Sequence, residues 1–367
     1  MCHYCDFPKT ANWDRRLLED YLSSLRRHLD AWLVLSQERG LTFDTVFVGG
    51  GTPGLLTSEF GPLFELLSGF GVRADEISLE ANPENITPAH LKSWKALGFN
   101  RLSIGVQSFQ ESGLRLLTRQ IEVKAVLEAL KDACAVFDNV SIDLIYGWPG
   151  QTVEDWQKDL AQALQFPLSH LSLYCLMFEE KTPLGRSFRR GQIDALSEET
   201  QVAFYQEACE ILDASGFSHY ECSNWARPGK ECLHNIKYWQ NDPYVGIGAG
   251  ACGYLPDDSV GLRYSYGRNE RSFTHLDPMS ILPEERVPID WLREYVGCGL
   301  RYQAGLDLNE AKKRGFVFSP RGIVAEALHD GRLSLSGNCL TLSKSEWLRE
   351  TRWCLETLEC FSLGVTS

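Results

Sequence analysis

Two periods alternate along residues 1–284: short apolar runs that end in glycine or polar turns, and longer stretches whose apolar positions recur every three or four residues. Leu18, Leu22, Leu25, Leu29 and Trp32 share one face of a helix spanning Asn12 to Leu35. TVFV (45–48), ISLEA (77–81), RLSIGV (101–106), VSIDLIY (140–146) and HLSLYCL (170–176) read as buried strands. Thr87 and Pro88 open a helix as N-cap and first helical residue, and a further helix is expected from about Ser197 to Ser215. Five strands, each followed by helix, predict an α/β unit built on a parallel sheet. From residue 285 the pattern changes to short helical segments with glycine stops, ending in LSKSEWLRETRWCLETL. This predicts a small, mainly helical second domain over 285–367, after a first domain over 1–284.

Composition narrows the function. A chain of 367 residues suits one large domain and one small one. A net charge of −13 argues against a general nucleic-acid binder, which needs a basic face. No run of eighteen apolar residues marks a transmembrane helix, and the N-terminus lacks the basic-then-apolar pattern of a secretory signal. Most of the twelve cysteines lie in apolar runs, where a thiol behaves as a small buried hydrophobe; a reducing cytoplasm fits that usage.

The chemistry collects where each strand ends, the side on which parallel βα folds hold ligands. Gly49-Gly50-Gly51-Thr52-Pro53 follows the first strand, as a tight turn or as backbone that approaches a ligand. Glu80, Asn82 and Pro83 follow the second; the carboxylate there takes either a salt bridge or a ligand's ammonium or hydroxyls. Gln107 and Ser108 close the third. Asp143 stands inside an apolar strand, so its charge needs a partner or a ligand. Ahead of all these, MCHYCDF spaces Cys2 and Cys5 so that two thiolates can share one metal centre.

In order, CHYCDF, VFVGGGTP, LEANPENIT, RLSIGVQSF, IDLIYGWPGQT, YECSNWARPG and HNIKYW are similar to the motifs of the radical S-adenosylmethionine (SAM) superfamily. Within it the chain resembles the HemW-type heme chaperones, relatives of oxygen-independent coproporphyrinogen III oxidase, over nearly its whole length. The resemblance implies a six-stranded partial (β/α) barrel with a small C-terminal domain. It also implies a [4Fe–4S] cluster on three cysteines spaced C-x3-C-x2-C, leaving one iron to chelate SAM. Cys2 and Cys5 match the second and third ligands, and Tyr4 the position near adenine. Gly51 and Thr52 match the turn that holds SAM's amino-acid end, and Glu80, Gln107, Arg119 and Asp143 match further SAM contacts. From its neighbourhood alone Arg119 reads as a surface arginine. In this spacing the first cysteine falls three residues before Met1, and the strand that carries it is missing as well, so five strands are expected where the family has six. A start codon assigned inside a longer reading frame and a degenerate protein without the cluster both account for this. The chain as written is expected to hold the cluster poorly or not at all.

Coproporphyrinogen oxidases carry a further cysteine two residues after the third ligand; here that position is Phe7, preceded by Asp6, as in the HemW branch. The HemW motif H-N-x-x-Y-W appears as His234-Asn235-Ile236-Lys237-Tyr238-Trp239, which implies heme binding by His234, Asn235, Tyr238 and Trp239. A neutral imidazole is a common axial ligand of heme; on residue types alone, a structural loop is the simpler reading. After GIGAG the family has Ala-His where this chain has Ala251-Cys252. Cys252 is then a substitute thiolate ligand, the mark of a weakened site, or a buried inert thiol, and the sequence leaves all three open. The resemblance implies a heme chaperone that hands heme to an acceptor hemoprotein. The second reading is a radical SAM oxidase acting on a porphyrinogen.

Overall fold

A computed structural model describes residues 2–8, 14–257 and 260–363. Helix α1 (Arg15–Glu38) is capped by Asp14, whose side chain accepts the Leu17 N–H at 2.8 Å, and it runs past Leu35. The Asn12 start expected for it lies outside the described residues. Strands β1 (Thr45–Val48), β2 (Glu76–Ala81), β3 (Arg101–Gln107), β4 (Val140–Tyr146) and β5 (His170–Cys175) then pair in parallel, in chain order. The crossovers carry α2 (Gly61–Gly69), α3 (Pro88–Leu97), α4 (Glu111–Leu116), α5 (Val123–Val136) and α6 (Val153–Ala163). Thr87 caps α3 by accepting the His90 N–H, and Pro88 supplies its first residue.

Strand alternation separates the two faces of the sheet. On β2, Leu79 and Ala81 pack into one core with Leu91 and Trp94 of α3, and Ile77 leans on the same core. Glu76, Ser78 and Glu80 point to the other, concave face. The same alternation puts Arg101 and Ser103 of β3, Ser141 and Asp143 of β4, and His170 and Ser172 of β5 on that face.

Two short strands extend the sheet beyond the five expected. After α7 (Pro183–Arg189) and α8 (Glu198–Ala214), the hairpin β6 (Ser218–Glu221) and β7 (Asn224–Ala226) adds antiparallel to β5. The curled sheet therefore has seven strands in the order β1-β2-β3-β4-β5-β7-β6. These strands hold four and three residues, too few to establish a period. Helix α9 (Leu233–Trp239) follows. Next come β8 (Cys252–Leu255), β9 (Leu262–Ser265), α10 (Glu270–Phe273) and β10 (Leu282–Pro283), whose strands make a small antiparallel sheet.

The C-terminal region is helical, as expected, with α11 (Pro288–Leu300), α12 (Leu308–Lys313), α13 (Gly322–Asp330) and α14 (Glu350–Glu359). It also holds short strands that the pattern did not reveal: β11 (Leu306–Asp307), β12 (Phe316–Phe318), β13 (Leu333–Ser336), β14 (Cys339–Leu342) and β15 (Phe361–Leu363). They form two small antiparallel sheets. Trp291, Val296, Trp347 and Trp353 belong to a second core. His219 joins the two cores, stacked on Trp225 at 4.0 Å and edge-on to Trp347 at 4.5 Å.

One buried carboxylate fastens the turn after β3. Asp159 of α6 accepts Ser108 Oγ and the Phe109 N–H at 2.8 Å each, and Gln110 Nε2 at 3.0 Å. Burial raises its pKa to about 6. Asp159→Ala leaves the Phe109 amide without its acceptor, and urea unfolding is expected to show a loss of about 1–3 kcal/mol. A loss below about 0.5 kcal/mol would contradict the clamp.

Candidate functional site

The C-terminal ends of β1 to β5 open on one side, and the glycine turn after β1 is tied to the end of β2. A Cβ on Gly49 would stand 2.8 Å from the Phe47 ring and 2.9 Å from the Glu80 carboxyl carbon, so no side chain fits. Gly50, at φ +117°, donates its N–H to Glu80 Oε2 at 2.9 Å. Thr52 donates its hydroxyl to the Gly51 carbonyl at 2.5 Å and accepts Asn82 Nδ2 at 3.3 Å. Burial raises the Glu80 pKa to about 7, against the lowering effect of the Gly50 N–H. At the end of β3 the register with β4 slips between Gly105 and Gln107, and Gln107 takes φ +72°. Asp143 accepts Ser103 Oγ at 3.4 Å, and burial raises its pKa to about 6.

Arg119 is not on the surface: it is 8% exposed. It donates to Asn82 Oδ1 at 3.0 Å, to Glu84 Oε2 at 2.9 Å and to the Gly105 carbonyl at 3.0 Å. Its Nη1 also stands 3.8 Å from Cys2 Sγ. Cys2 and Cys5 line a cavity of about 680 Å³ shared with Lys181 and Arg268. Tyr4, between them, turns inward beside Leu117, Ile145 and Trp148, and burial raises its pKa. The structure thus gathers Cys2, Tyr4, Cys5, Gly51, Thr52, Glu80, Gln107, Arg119 and Asp143 around one mouth. The sequence reading did not carry Tyr174 and Glu221 into this site. Tyr174 is 43% exposed on a strand that is otherwise mostly buried, and the charges of Asp143, Glu221 and Glu80 all reach it. Glu221 bonds Asn224, and burial raises its pKa to about 7. The signal for it was the YECSNW motif, which supplied no site residue.

The second motif is a helix, not the loop that residue types alone suggested. On α9, His234 Nε2 and the Tyr238 hydroxyl lie 2.8 Å apart across one turn. His234 Nδ1 lies 2.9 Å from the Thr45 hydroxyl, and the ring stacks on Phe47 at 5.1 Å. Burial lowers the His234 pKa to about 4, so the ring is neutral. No side chain of the N-cap residue, Cys232, closes the first turn of α9. Glu76 does so instead, accepting the Leu233 and His234 N–H groups at 3.0 and 3.2 Å. Asn235 is half-buried on the same helix. Trp239 packs beside Tyr220, Ala226 and Tyr302, away from the His–Tyr pair. Cys252 is exposed at the start of β8, which removes the buried-inert reading, and it lies near enough to Tyr238 and Tyr244 to act on them electrostatically.

A cysteine pair beside a buried arginine, a glycine turn bound to a strand-end carboxylate and a curled parallel sheet define a radical SAM half-barrel. Residues 1–163 match the Radical SAM superfamily. The fold is similar to that of Escherichia coli coproporphyrinogen III oxidase (HemN), with a TM-score of 0.78 and 21% identity over 97% of this chain and 87% of that one. Among curated proteins, Heme chaperone HemW of Synechocystis is 36% identical over 83% of this chain and 76% of its own length. HemW of Bacillus subtilis is 32% identical over 86% and 82%. The mitochondrial radical S-adenosyl methionine domain-containing protein 1 of Bos taurus is 35% identical over 83% and 71%. The chain belongs to the HemW family of the radical SAM superfamily. Among the described residues, no helix is long and apolar enough to cross a membrane.

The superfamily implies a [4Fe–4S] cluster and SAM; the residues present fit SAM and two of the cluster's three thiolate positions, and among the described residues no third ligand joins the two thiols. Two thiols lie at the mouth, with the Arg119 guanidinium where an anionic cluster needs positive charge, and Glu80 and Asp143 offer acceptors for SAM. The imidazole of His234, the phenol of Tyr238 and the thiol of Cys252 are each of a kind that can ligate heme iron, although both ring nitrogens of His234 are engaged.

The raised carboxyls at this mouth set a pH dependence. Glu80, Asp143 and Glu221 hold protons more tightly in the fold than in the unfolded chain, where carboxyls titrate near pH 4. Their contribution to stability is complete below about pH 4 and is lost as pH rises toward about 7. The thermal midpoint is expected to fall between about pH 5 and about pH 8, and to fall less in Glu80→Gln. An unchanged pH slope in that variant would contradict the account of Glu80.

Proposed function

We propose that this protein binds heme at the α9 segment and hands it to an acceptor hemoprotein, with the radical SAM mouth supporting that role. The observation that carries the reading is the His234–Tyr238 pair on α9 at the edge of the half-barrel, with the exposed Cys252 near enough to act electrostatically on the phenol, in a chain of the HemW family. Cys2 and Cys5 are proposed as two of the cluster's thiolate ligands, in a cluster site that is incomplete in this chain. Tyr4, Gly51, Thr52, Glu80, Gln107, Arg119 and Asp143 are the proposed SAM contacts. Cluster and SAM together supply radical chemistry when bound. The protein is proposed to act in the cytoplasm, where its thiols stay reduced. A functional division near residues 284 and 285 is proposed to separate the half-barrel and heme segment from the helical region.

Titration with hemin is expected to give a shifted Soret band that saturates near one equivalent, and His234→Ala is expected to weaken the binding. Mixed with an apo-hemoprotein, the loaded protein is expected to lose its Soret band as the acceptor's appears. Oxidative decarboxylation of coproporphyrinogen III by the reconstituted protein would overturn the chaperone reading in favour of the oxidase.

The cluster is tested separately. A version lengthened so that a cysteine stands three residues before Met1, reconstituted with iron and sulfide, is expected to show the broad absorbance of a [4Fe–4S] centre. Cys2→Ala or Cys5→Ala in that version is expected to remove it. A full cluster retained by the double variant would contradict the ligand assignment.

A further inference from the structure

The HemW motif draws attention to His234, yet both of its ring nitrogens are already engaged. Nδ1 faces the Thr45 hydroxyl at 2.9 Å and Nε2 the Tyr238 hydroxyl at 2.8 Å. The ring is also held flat against Phe47, and its backbone N–H is bonded to Glu76. An iron that took Nε2 would first have to displace the Tyr238 hydroxyl and then enter the layer between α9 and β1.

The two side chains have different electrostatic neighbours. His234 is reached by Glu76, Arg101 and Asp44, at or just before the N-terminal ends of β1, β2 and β3. Tyr238 is reached by Tyr244 and the buried Cys232, and also by the exposed Cys252 and by Glu80 at the mouth. Of the two side chains, it is the phenol that has groups of the mouth among its neighbours. A phenol is a stronger hydrogen donor than an aliphatic alcohol. Nδ1 of the neutral imidazole thus carries the hydrogen and donates it to Thr45, while the bare Nε2 accepts the Tyr238 hydrogen.

Resting on the reading that heme binds at α9, we propose that Tyr238, and not His234, is its axial ligand, with His234 as the base that takes the phenol's proton. The bond formed is iron to Tyr238 oxygen, and the bond broken is Tyr238 O–H. The proton moves to His234 Nε2, and the iron stays ferric, so no electron is transferred. Phenolate is an established axial ligand of heme. The imidazolium is transient, because burial holds its pKa at about 4, and it gives the proton on to solvent; meanwhile Thr45 still holds the ring, with the Glu76 carboxylate beside it. His234 is in this sense a positioning residue, and Glu76 holds it in place through the first turn of α9.

The test is ferric heme added to the full chain and followed by absorption and resonance Raman. The wild type is expected to show a phenolate-to-iron charge-transfer band and phenolate ring modes, which shift when the protein is made with deuterated tyrosine. Tyr238→Phe is expected to remove both and to weaken binding about tenfold or more, a loss of about 1.4 kcal/mol or more. His234→Ala is expected to weaken binding while keeping the phenolate modes, and His234→Gln, whose amide oxygen still accepts the hydroxyl, to recover part of the loss. An imidazole ligand gives the opposite result for Tyr238→Phe, because Nε2 is set free: an imidazole spectrum with binding as tight as wild type or tighter. That outcome overturns the proposal and leaves heme binding at α9 standing, as does a thiolate spectrum lost in Cys252→Ala. Unchanged binding and spectra in the Tyr238, His234 and Cys252 variants alike would overturn heme binding at α9 itself. The isotope shift in the wild type decides the ligand even if a variant fails to fold.

Discussion

The concave face of the sheet governs this fold. Strand alternation that buries Leu79, Ile104 and Ile142 against the helices commits their neighbours to the opposite face, and those neighbours include Glu76, Arg101, His170 and Asp143. Groups of this kind are costly to bury unless they are satisfied. The fold answers with a chain of partners. Arg101 lies 4.0 Å from Glu76, Ser141 2.7 Å from His170, and His170 2.8 Å from Tyr220, whose hydroxyl accepts the Cys232 N–H.

That chain of polar contacts has two ends with different uses. At the floor, Glu76 spends its carboxylate on the backbone of α9 and so holds the heme-motif helix against β1. At the mouth, Glu80 holds the glycine turn, and Arg119 gathers Asn82, Glu84 and Gly105 beside Cys2. The carboxyls at the mouth keep raised pKa values because burial takes them out of water and their hydrogen bonds only partly offset that. Tyr238 stands between the two ends, bonded to His234 below and reached by Glu80 above. A heme at α9 would therefore sit beside the SAM site on the same sheet.

Much of this was legible in the sequence where local rules apply. The five parallel strands are short apolar runs closed by turn residues, and Thr87 with Pro88 marked the start of α3 by capping chemistry alone. The hairpin of β6 and β7 was not legible, because strands of four and three residues carry no period. Site residues divided in the same way. The motif at each strand end pointed to Glu80, Gln107 and Asp143, which the fold brings to the same end of the sheet. Arg119 looked like a surface arginine because the partners that bury it, Asn82, Glu84 and the Gly105 carbonyl, lie 14 to 37 residues away. The engagement of both His234 nitrogens depends on Thr45, 189 residues distant, and no local pattern reports it. The exposure of Cys252 is equally a property of β8 at the edge of its small sheet, since the residue itself sits in an apolar run.

Heme is proposed to dock on α9 at the edge of a radical SAM half-barrel. Amide hydrogen exchange read by mass spectrometry, with and without one equivalent of hemin, tests it directly across the whole chain. Slowed exchange concentrated in α9 and the start of β8, residues 233–255, with the C-terminal helices unchanged, is the result the account predicts. Protection that leaves residues 233–255 untouched and appears elsewhere would contradict it.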